Sequence, residues 1–314
     1  MSSKKSEADF AAASVFFLAP ELQRVPDGLG PISQLGLKSS AMKAAHDRCR
    51  EELECFFLSP REQANTPSTL LIAAHPDDET IGAGALLRRR PNIKIMHVTD
   101  GSPLNAGDAL AAGFTTREEY AEARRKETVQ ALAQAGIRED AITNLQFTDQ
   151  KLSFQLKEVT ERVLAVVRQF QPEVVLTQAY EGGHPDHDSV AFACQMARRA
   201  ASFCLCEFAG YHAGRAGMEI YTFLPRAQQT QYAYRLNAGE RELKIRMIKG
   251  FTTQERTLQP FVQPEVETFR MAPKYDFTRP PHEGKLWYEN FNWGTDGATW
   301  RKMASQTLGE ILHP

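Results

Sequence analysis

The 314-residue sequence lacks the features that would mark a membrane protein or a nucleic-acid-binding protein. No apolar run approaches the roughly 18–20 residues that a membrane-spanning helix needs. Lys and Arg together number 37 and Asp and Glu together 39, so the net charge is -2. A basic excess of the kind that binds nucleic acid or anionic lipid is therefore missing. We expect no membrane span and no nucleic-acid partner.

Cysteine is also scarce. Five cysteines form an odd and low number for this length, which argues against a disulfide framework and favours a reducing, cytoplasmic location. Cys204 and Cys206 lack the C-x-x-C spacing of metal sites and have apolar flanks, so we predict buried thiols. Residues 10–19 are apolar like a signal peptide, but the adjoining acidic residues Glu7 and Asp9 argue against secretion.

The sequence does contain a regular alternation of strand and helix patterns between residues 68 and 201. Apolar runs typical of buried strands lie at Thr69–Ala74, Ile93–Thr99, Asn144–Thr148 and Glu173–Thr177. Helical patterns lie at Glu79–Arg90, Arg117–Ala135, Lys157–Phe170 and Asp188–Ala201. This alternation predicts an α/β fold, Rossmann-like and doubly wound, with a mostly parallel sheet and helices on both faces.

The regions on either side of this core follow weaker patterns. Residues 1–66 are predicted to be an N-terminal extension, with helical patterning best at Ser40–Phe56. Residues 67–260 are predicted to form the catalytic domain, and residues 261–314 an irregular C-terminal lobe packed on it. Further elements within the domain are strands at Leu205–Tyr211 and Glu219–Leu224 and a helix at Arg241–Phe251.

Two acidic, histidine-containing motifs directly follow predicted strands. The first is HPDDE at residues 75–79, and the second is HPDHD at residues 184–188. In an open parallel sheet, ligands bind beyond the carboxyl ends of the strands, where the strand order reverses. The two motifs are therefore expected at the same edge of the sheet, although 109 residues separate His75 from His184 (184 - 75 = 109).

The residue types in these motifs are those of a metal site. Neutral imidazoles and carboxylates bind catalytic zinc, which typically keeps three protein ligands and one open position. Two histidines and one carboxylate meet that count, but residue type alone does not choose between Asp77 and Asp78. The same set occurs in non-haem Fe(II) enzymes, so Fe2+ is the alternative ion. A second alternative is that the carboxylates only cap helices.

The motifs resemble those of the LmbE/PIG-L family of zinc-dependent deacetylases, which carry A-H-P-D-D-E and H-P-D-H-D in this order. Weaker similarities lie at residues 98–101 (VTDG), at Arg124 and Glu127 (R-x-x-E) and at residues 244–254. The resemblance covers about residues 68–260. It implies a hydrolase that removes an acetyl group from a small-molecule amino sugar of the N-acetylglucosamine type. A catalytically silent carbohydrate-binding relative is a further alternative.

The resemblance also implies roles for individual residues. One zinc ion would be held by His75, Asp78 and His187. Catalysis would use Asp77 as general base, a protonated His184 facing the oxyanion, and Asp186 orienting a histidine. Weaker candidates for substrate contacts are Arg124, Asp100, Tyr180 and His282. For Arg124 the alternative is an exposed pair with Glu127, and for His282 it is packing within the aromatic lobe.

Overall fold

The computed structural model describes residues 53–59, 66–90, 92–227 and 229–312. The apolar run at residues 10–19, most of the predicted extension 1–66 and most of the helix predicted at Ser40–Phe56 lie outside the described residues. Residues 53–58 are helical and form α1. Among the described helices, none is long and apolar enough to cross a membrane.

A seven-stranded sheet lies at the centre of the described residues, in the order β3-β2-β1-β4-β5-β9-β8. Its strands are β1 (Thr69–Ala73), β2 (Lys94–Pro103), β3 (Ile142–Asp149), β4 (Val174–Gln178), β5 (Cys204–Phe208), β8 (Gln231–Arg235) and β9 (Val266–Met271). The first five pair in parallel, and β9 and β8 add an antiparallel margin. The predicted mostly parallel α/β fold is confirmed.

Helices cover both faces of this sheet. They are α2 (Asp78–Arg89), α3 (Gly107–Ala111), α4 (Arg117–Gln134), α5 (Leu156–Phe170), α6 (Pro185–Ala200), α7 (Ala238–Lys249), α8 (Glu255–Leu258) and α9 (Gly297–Leu312). Successive residues of β1 point to opposite faces. Leu71 packs in one cluster with Met247 of α7, whereas Leu70 packs in another with Val163 of α5 and Val190 of α6. This double burial explains the continuous apolar runs of the central strands.

Beyond β5 the predicted elements need correction. The strand predicted at Leu205–Tyr211 is divided into β5 and a short β6 (Tyr211–Ala213), which pairs only with β7 (Met218–Ile220). The C-terminal region is more regular than predicted, because β9 lies inside the central sheet and α9 is a 16-residue helix. The charged residues Glu267 and Arg270 interrupt the apolar pattern of β9 in the sequence, although both are fully buried in the structure.

A buried charge network holds β9 against β5 and the end of β4. Arg270 donates to Glu207 over 2.8 Å and to Glu181 over 3.0 Å, and the Tyr275 hydroxyl donates to Glu207 over 2.7 Å. Burial raises the pKa of both Glu181 and Glu207 to about 7, although Arg270 opposes the shift. The carboxyls of Glu181 and Glu207 thus share the guanidinium of Arg270. Of the two, Glu181 lies three residues before His184.

This network predicts a pH-dependent stability. A carboxyl whose pKa is higher in the folded protein binds more protons there than in the unfolded chain, so stability falls as pH rises from about 5 to about 7.5. We expect Glu207→Gln to reduce that fall by about 1–3 kcal/mol relative to the parent protein. Urea unfolding across this range measures it, with the exposed Glu118→Gln as control. Equal slopes in Glu207→Gln and the parent would contradict the prediction.

The cysteines differ in state. Cys194 and Cys206 are buried free thiols, which confirms the prediction for Cys206. Burial raises the pKa of the Cys194 thiol to about 12, so it is not a reactive nucleophile near neutral pH. Cys204 is instead disulfide-bonded, which corrects the prediction of a thiol there. A low cysteine count argues against a framework of many bridges, but it does not exclude a single one.

Gly82 allows α2 to pack closely on the sheet. A Cβ atom at this position would lie 2.0 Å from Cδ2 of Phe208, whose ring is in the core. We therefore expect Gly82→Ala to lower the free energy of unfolding by about 1–3 kcal/mol through overpacking. Gly309→Ala in α9 is the matched control, because no neighbouring heavy atom lies within 4 Å of its added Cβ. That variant should gain about 0.5–1 kcal/mol in urea unfolding. Similar losses in both variants would contradict the packing argument.

Candidate active site

The sheet topology brings the two motifs together. β1 pairs with β2 on one side and with β4 on the other, so the strand order reverses between β1 and β4. Residues 75–79 follow β1 and lead into α2, and residues 184–188, which come after β4, form the N-cap and the first turn of α6. Both motifs thus occupy the crevice in which open α/β sheets bind ligands.

Three side chains converge at this point. His75 Nδ1 lies 3.1 Å from one carboxylate oxygen of Asp78, and His187 Nε2 lies 3.1 Å from the other. His187 Nε2 is buried and has no hydrogen-bond partner of good geometry. Burial raises the pKa of Asp78, but the charges and hydrogen bonds of His187 and His75 outweigh it and hold the pKa well below its ordinary value. Imidazoles and an ionised carboxylate are donors that divalent metal ions prefer. Within the described residues, ligand atoms of His75, His184 and His187 lie within 4.8 Å of one another, so a metal ion could be held at this point.

The second ring nitrogen of His75 is held by carboxylates from two other elements. His75 Nε2 lies 3.3 Å from Asp186 and 3.0 Å from Asp149. Asp186 is itself fixed, because its oxygens accept from the backbone N–H groups of Gln150 and Leu152. Carboxylates in this position orient a ligating histidine and raise its basicity. The contact of Asp186 with a histidine is the one that the resemblance implies.

Asp149 is a site residue that the sequence reasoning did not find. It is the last residue of β3 and is buried, and Asp100 lies near the corresponding end of the neighbouring β2. The position of Asp149 at the end of a strand could have predicted its role. The carboxyl ends of β1, β2 and β3, which are adjacent and parallel, meet at one edge of the sheet. The strand predicted at Asn144–Thr148 stopped one residue short of Asp149.

Asp77 lies beside Asp78, the candidate metal ligand, in an unusual backbone conformation. Its φ is 119°, a region that non-glycine residues rarely adopt. Its N–H donates to Glu79, whose carboxylate also lies 2.8 Å from His97 Nε2. Burial raises the pKa of Asp77 well above its ordinary value, and Arg124 opposes that shift. Strain that the surroundings maintain is typical of functional sites.

Arg124 is buried and holds Asp77. Its guanidinium donates to Asp77 over 2.9 Å, to the Pro76 carbonyl over 2.6 Å and to the Gly101 carbonyl over 2.8 Å. The alternative of an exposed pair with Glu127 is wrong, because Glu127 instead accepts from Thr252 and its neighbour Thr253. Arg124 therefore contacts the candidate active site through its hydrogen bond to Asp77, the candidate general base.

We expect Arg124→Gln to lower the free energy of unfolding by about 3–5 kcal/mol, because it leaves the Asp77 carboxylate buried without its partner. Arg125→Gln is the matched control on the same helix. Its side chain is 46% exposed and pairs only with exposed glutamates, so it should cost less than about 1 kcal/mol. Urea denaturation of both variants measures the difference. Equal small losses would mean that Arg124 does not stabilise Asp77.

His184 lies in surroundings that favour its neutral form. Its Nδ1 accepts a hydrogen bond from the backbone N–H of Asp186 over 3.1 Å, which leaves Nε2 as the protonated nitrogen. Burial, and then the neighbouring His75 and His187, lower the pKa of His184 well below its ordinary value. This hydrogen bond favours a neutral imidazole that offers Nε2–H to a ligand, and the protonated His184 that the resemblance implies stays a prediction.

Comparison with known proteins agrees with this geometry. The PIG-L family, described as GlcNAc-PI de-N-acetylase, matches residues 70–197, which contain both motifs. A 1D-myo-inositol 2-acetamido-2-deoxy-alpha-D-glucopyranoside deacetylase of Catenulispora acidiphila is 30% identical over 224 residues, covering 63% of this chain and 68% of the relative. The chain belongs to the PIG-L family.

Solved structures share the fold of this PIG-L protein. A deacetylase–bog complex from the teicoplanin biosynthesis pathway matches with a TM-score of 0.53 at 18% identity, covering 67% of this chain and 99% of the other. The zinc-inhibited form of a teicoplanin deacetylase matches with a TM-score of 0.51 at 16% identity, covering 67% and 99%. At these identities the likeness establishes the fold alone.

The remaining candidates for substrate contacts lie in different surroundings. Asp100 is buried and pairs with Arg117, and it also accepts from the Ser102 N–H. Tyr180 is buried in an aromatic cluster, stacks on Trp300 and donates its hydroxyl to the Arg279 carbonyl. These contacts explain Tyr180 as a core residue, so its prediction as a substrate contact has no support in the geometry.

His282 is half-buried, and its Nδ1 lies 2.7 Å from the carbonyl of its neighbour Glu283. Outside the part of the chain that matches the PIG-L family, the C-terminal segment instead brings Trp293 to the site. The centroid of its ring lies 4.4 Å from that of His184. The sequence had predicted an irregular, aromatic lobe in this region but had not indicated Trp293 as a site residue.

The C-terminal segment is tied to α6 and to the loop before it. The Trp287 N–H donates to the Gly182 carbonyl over 2.9 Å, and Trp300 Nε1 donates to the Pro185 carbonyl over 3.1 Å. Trp293 lies between these two attachments. A segment beyond residues 70–197, which the family model matches, therefore forms one wall of the site.

Proposed function

We propose that this protein is a metal-dependent hydrolase that removes the acetyl group from an N-acetylated amino sugar of the N-acetylglucosamine type. The observation that carries the proposal is the convergence of His75, Asp78 and His187 beside the carboxylate of Asp77. Membership of a de-N-acetylase family and a relative named as a deacetylase of a 2-acetamido sugar support the same reaction.

We infer zinc as the resident ion, with Fe2+ as the alternative. His75 Nδ1, Asp78 and His187 Nε2 would hold it, and three protein ligands leave a position open. When bound, such an ion makes water a nucleophile near neutral pH and polarises the acetyl carbonyl. One structural neighbour was solved in a zinc-inhibited form, so excess zinc is to be avoided in assays.

The protein's own residues then divide the proton transfers. Asp77 accepts the proton of the attacking water, and its raised pKa suits a base that later returns that proton to the leaving amine. His184 donates a hydrogen bond through Nε2–H to the oxygen on which negative charge develops. Asp186 and Asp149 fix the ring of His75. The products are acetate and a free amino sugar.

The test combines metal analysis with acetate release from a panel of N-acetylated sugars. The protein is purified without added metal, its metal content is measured, and it is then assayed after chelation and after restoration of one equivalent of zinc or iron. We expect acetate release that chelation abolishes and one equivalent of zinc restores. Consumption of 2-oxoglutarate with iron and no acetate release would support the Fe(II) alternative. Sugar binding without any release would indicate the catalytically silent relative.

A further inference from the structure

Exposed large hydrophobic side chains are concentrated at the edge of the sheet that carries the site. Within the described residues they are Leu104, Leu110, Phe154, Phe170 and Phe291, with exposed fractions of 65%, 63%, 46%, 37% and 42%. Leu104 and Leu110 follow β2 and Phe154 follows β3, which places these three at the carboxyl edge. Phe170 ends α5 just before β4 begins and therefore lies at the opposite edge.

Phe291 is connected to the catalytic side chains through Trp293. Its ring stacks on Trp293 with centroids 4.5 Å apart and planes 13° apart. Trp293 in turn contacts His184, and its side chain is half-buried. The exposed ring of Phe291 is thus the outer end of a row of rings that begins at the reaction centre.

Phe154 approaches the same place from the other side. It belongs to a turn at Leu152–Gln155, in which the Leu152 N–H donates to Asp186 over 3.1 Å. The ammonium group of Lys151 lies 5.4 Å from the centroid of the Phe154 ring. The same ammonium lies 3.5 Å from the position that a Cβ would occupy on Gly294, the residue after Trp293. The turn after β3 and the C-terminal segment therefore meet at the site.

We propose that Phe154 and Phe291, here called the apolar rim, bind an apolar aglycone of the substrate next to its amino sugar. This inference rests on the proposed deacetylase function and extends it to the part of the substrate outside the reacting amide. Exposed apolar patches on proteins mark binding sites. The continuity from Phe291 through Trp293 to His184 points to a group covalently joined to the reacting sugar.

The expected effect is a higher kcat/KM for glycosides with a larger apolar aglycone. Burying a methylene group improves binding roughly fourfold, so an octyl chain that contacts even part of the rim should favour its substrate by about tenfold or more over a methyl group. The test compares kcat/KM for the methyl, phenyl and octyl β-glycosides of N-acetylglucosamine. A preference for octyl identifies an alkyl aglycone, and a larger preference for phenyl identifies an aromatic one; either supports the rim.

Two variants test whether the preference for the octyl glycoside depends on the apolar rim. The double substitution Phe154→Ser and Phe291→Ser should bring the octyl-to-methyl ratio of kcat/KM close to one. Phe170→Ser removes an equally exposed ring at the opposite edge and should keep the ratio of the parent protein. An equal ratio for methyl and octyl substrates in the parent would overturn the proposal, and so would an equal loss of preference in Phe170→Ser.

Two further measurements distinguish this proposal from a failure of the deacetylase function and from a membrane contact. If no glycoside releases acetate, the deacetylase function fails, and calorimetric Kd values of the octyl and methyl glycosides then test the rim alone. Tighter octyl binding that the double variant abolishes supports the rim; equal Kd values overturn it. Co-sedimentation with phosphatidylcholine vesicles covers the remaining case. Vesicle binding that the double variant loses while its octyl-to-methyl ratio stays unchanged would make the rim a membrane contact and overturn the proposal.

Discussion

Replacing Asp77 by Asn should lower kcat by about 10²–10⁴-fold while the protein keeps its zinc, because the general base is lost and the three ligands stay in place. Asn is a close match in shape. It can still accept the hydrogen bond from Arg124, and it tolerates a positive φ better than most residues do. The loss should therefore be catalytic rather than structural.

The measurement is kcat for acetate release together with zinc content from elemental analysis and the urea unfolding curve. Asp140→Asn is the control, because this carboxylate is 61% exposed and pairs only with Arg138. If Asp77→Asn keeps the turnover of the parent protein, Asp77 is not the base. If it loses zinc, the division of roles between Asp77 and Asp78 is wrong.

Replacing Asp78 by Asn should have the opposite effect on metal content. Both oxygens of Asp78 lie 3.1 Å from the imidazoles of His75 and His187, the other two proposed ligands, and Asn offers only one neutral oxygen in their place. Loss of a group that merely orients a ligand costs about 10–100-fold in metal affinity, so loss of a ligand should cost at least that much. Turnover at limiting zinc should fall with it.

Competition with a chromogenic zinc chelator measures this affinity in the parent protein, Asp78→Asn and Asp140→Asn. Part of the lost turnover should return when zinc is raised toward saturation in Asp78→Asn, whereas added zinc should not restore Asp77→Asn. This pair of variants distinguishes a ligand from a base at adjacent positions. Unchanged zinc affinity in Asp78→Asn would remove Asp78 from the ligand set.

The sequence was sufficient to predict the parallel part of the sheet and the meeting of the two motifs. Strands buried on both faces leave continuous apolar runs, and a parallel sheet fixes which end of each strand carries the ligands. Residue types alone could not assign Asp77 and Asp78, because both are aspartates at the start of one helix. The structure separates their surroundings, since Asp78 faces two imidazoles and Asp77 faces a guanidinium.

Contacts between elements far apart in sequence could not be predicted from sequence patterns. Asp149 contacts His75 only because β3 ends at the same edge as β1. The burial of Arg124 depends on carbonyls that the turns at Pro76 and Gly101 present. β9 was hidden because its charged residues have partners inside the protein: Glu267 pairs with Lys244 and Arg270 with Glu207.

The attachment of the C-terminal segment to α6 has a consequence for protein engineering. A fragment trimmed after residue 260, near the limit of the matched core, would remove the indole of Trp300 from its hydrogen bond to Pro185, inside the second motif. Tail exchange between homologues would likewise replace the segment whose Trp293 ring contacts His184. Chimeras and shortened expression fragments should therefore be designed as changes to the reaction centre itself.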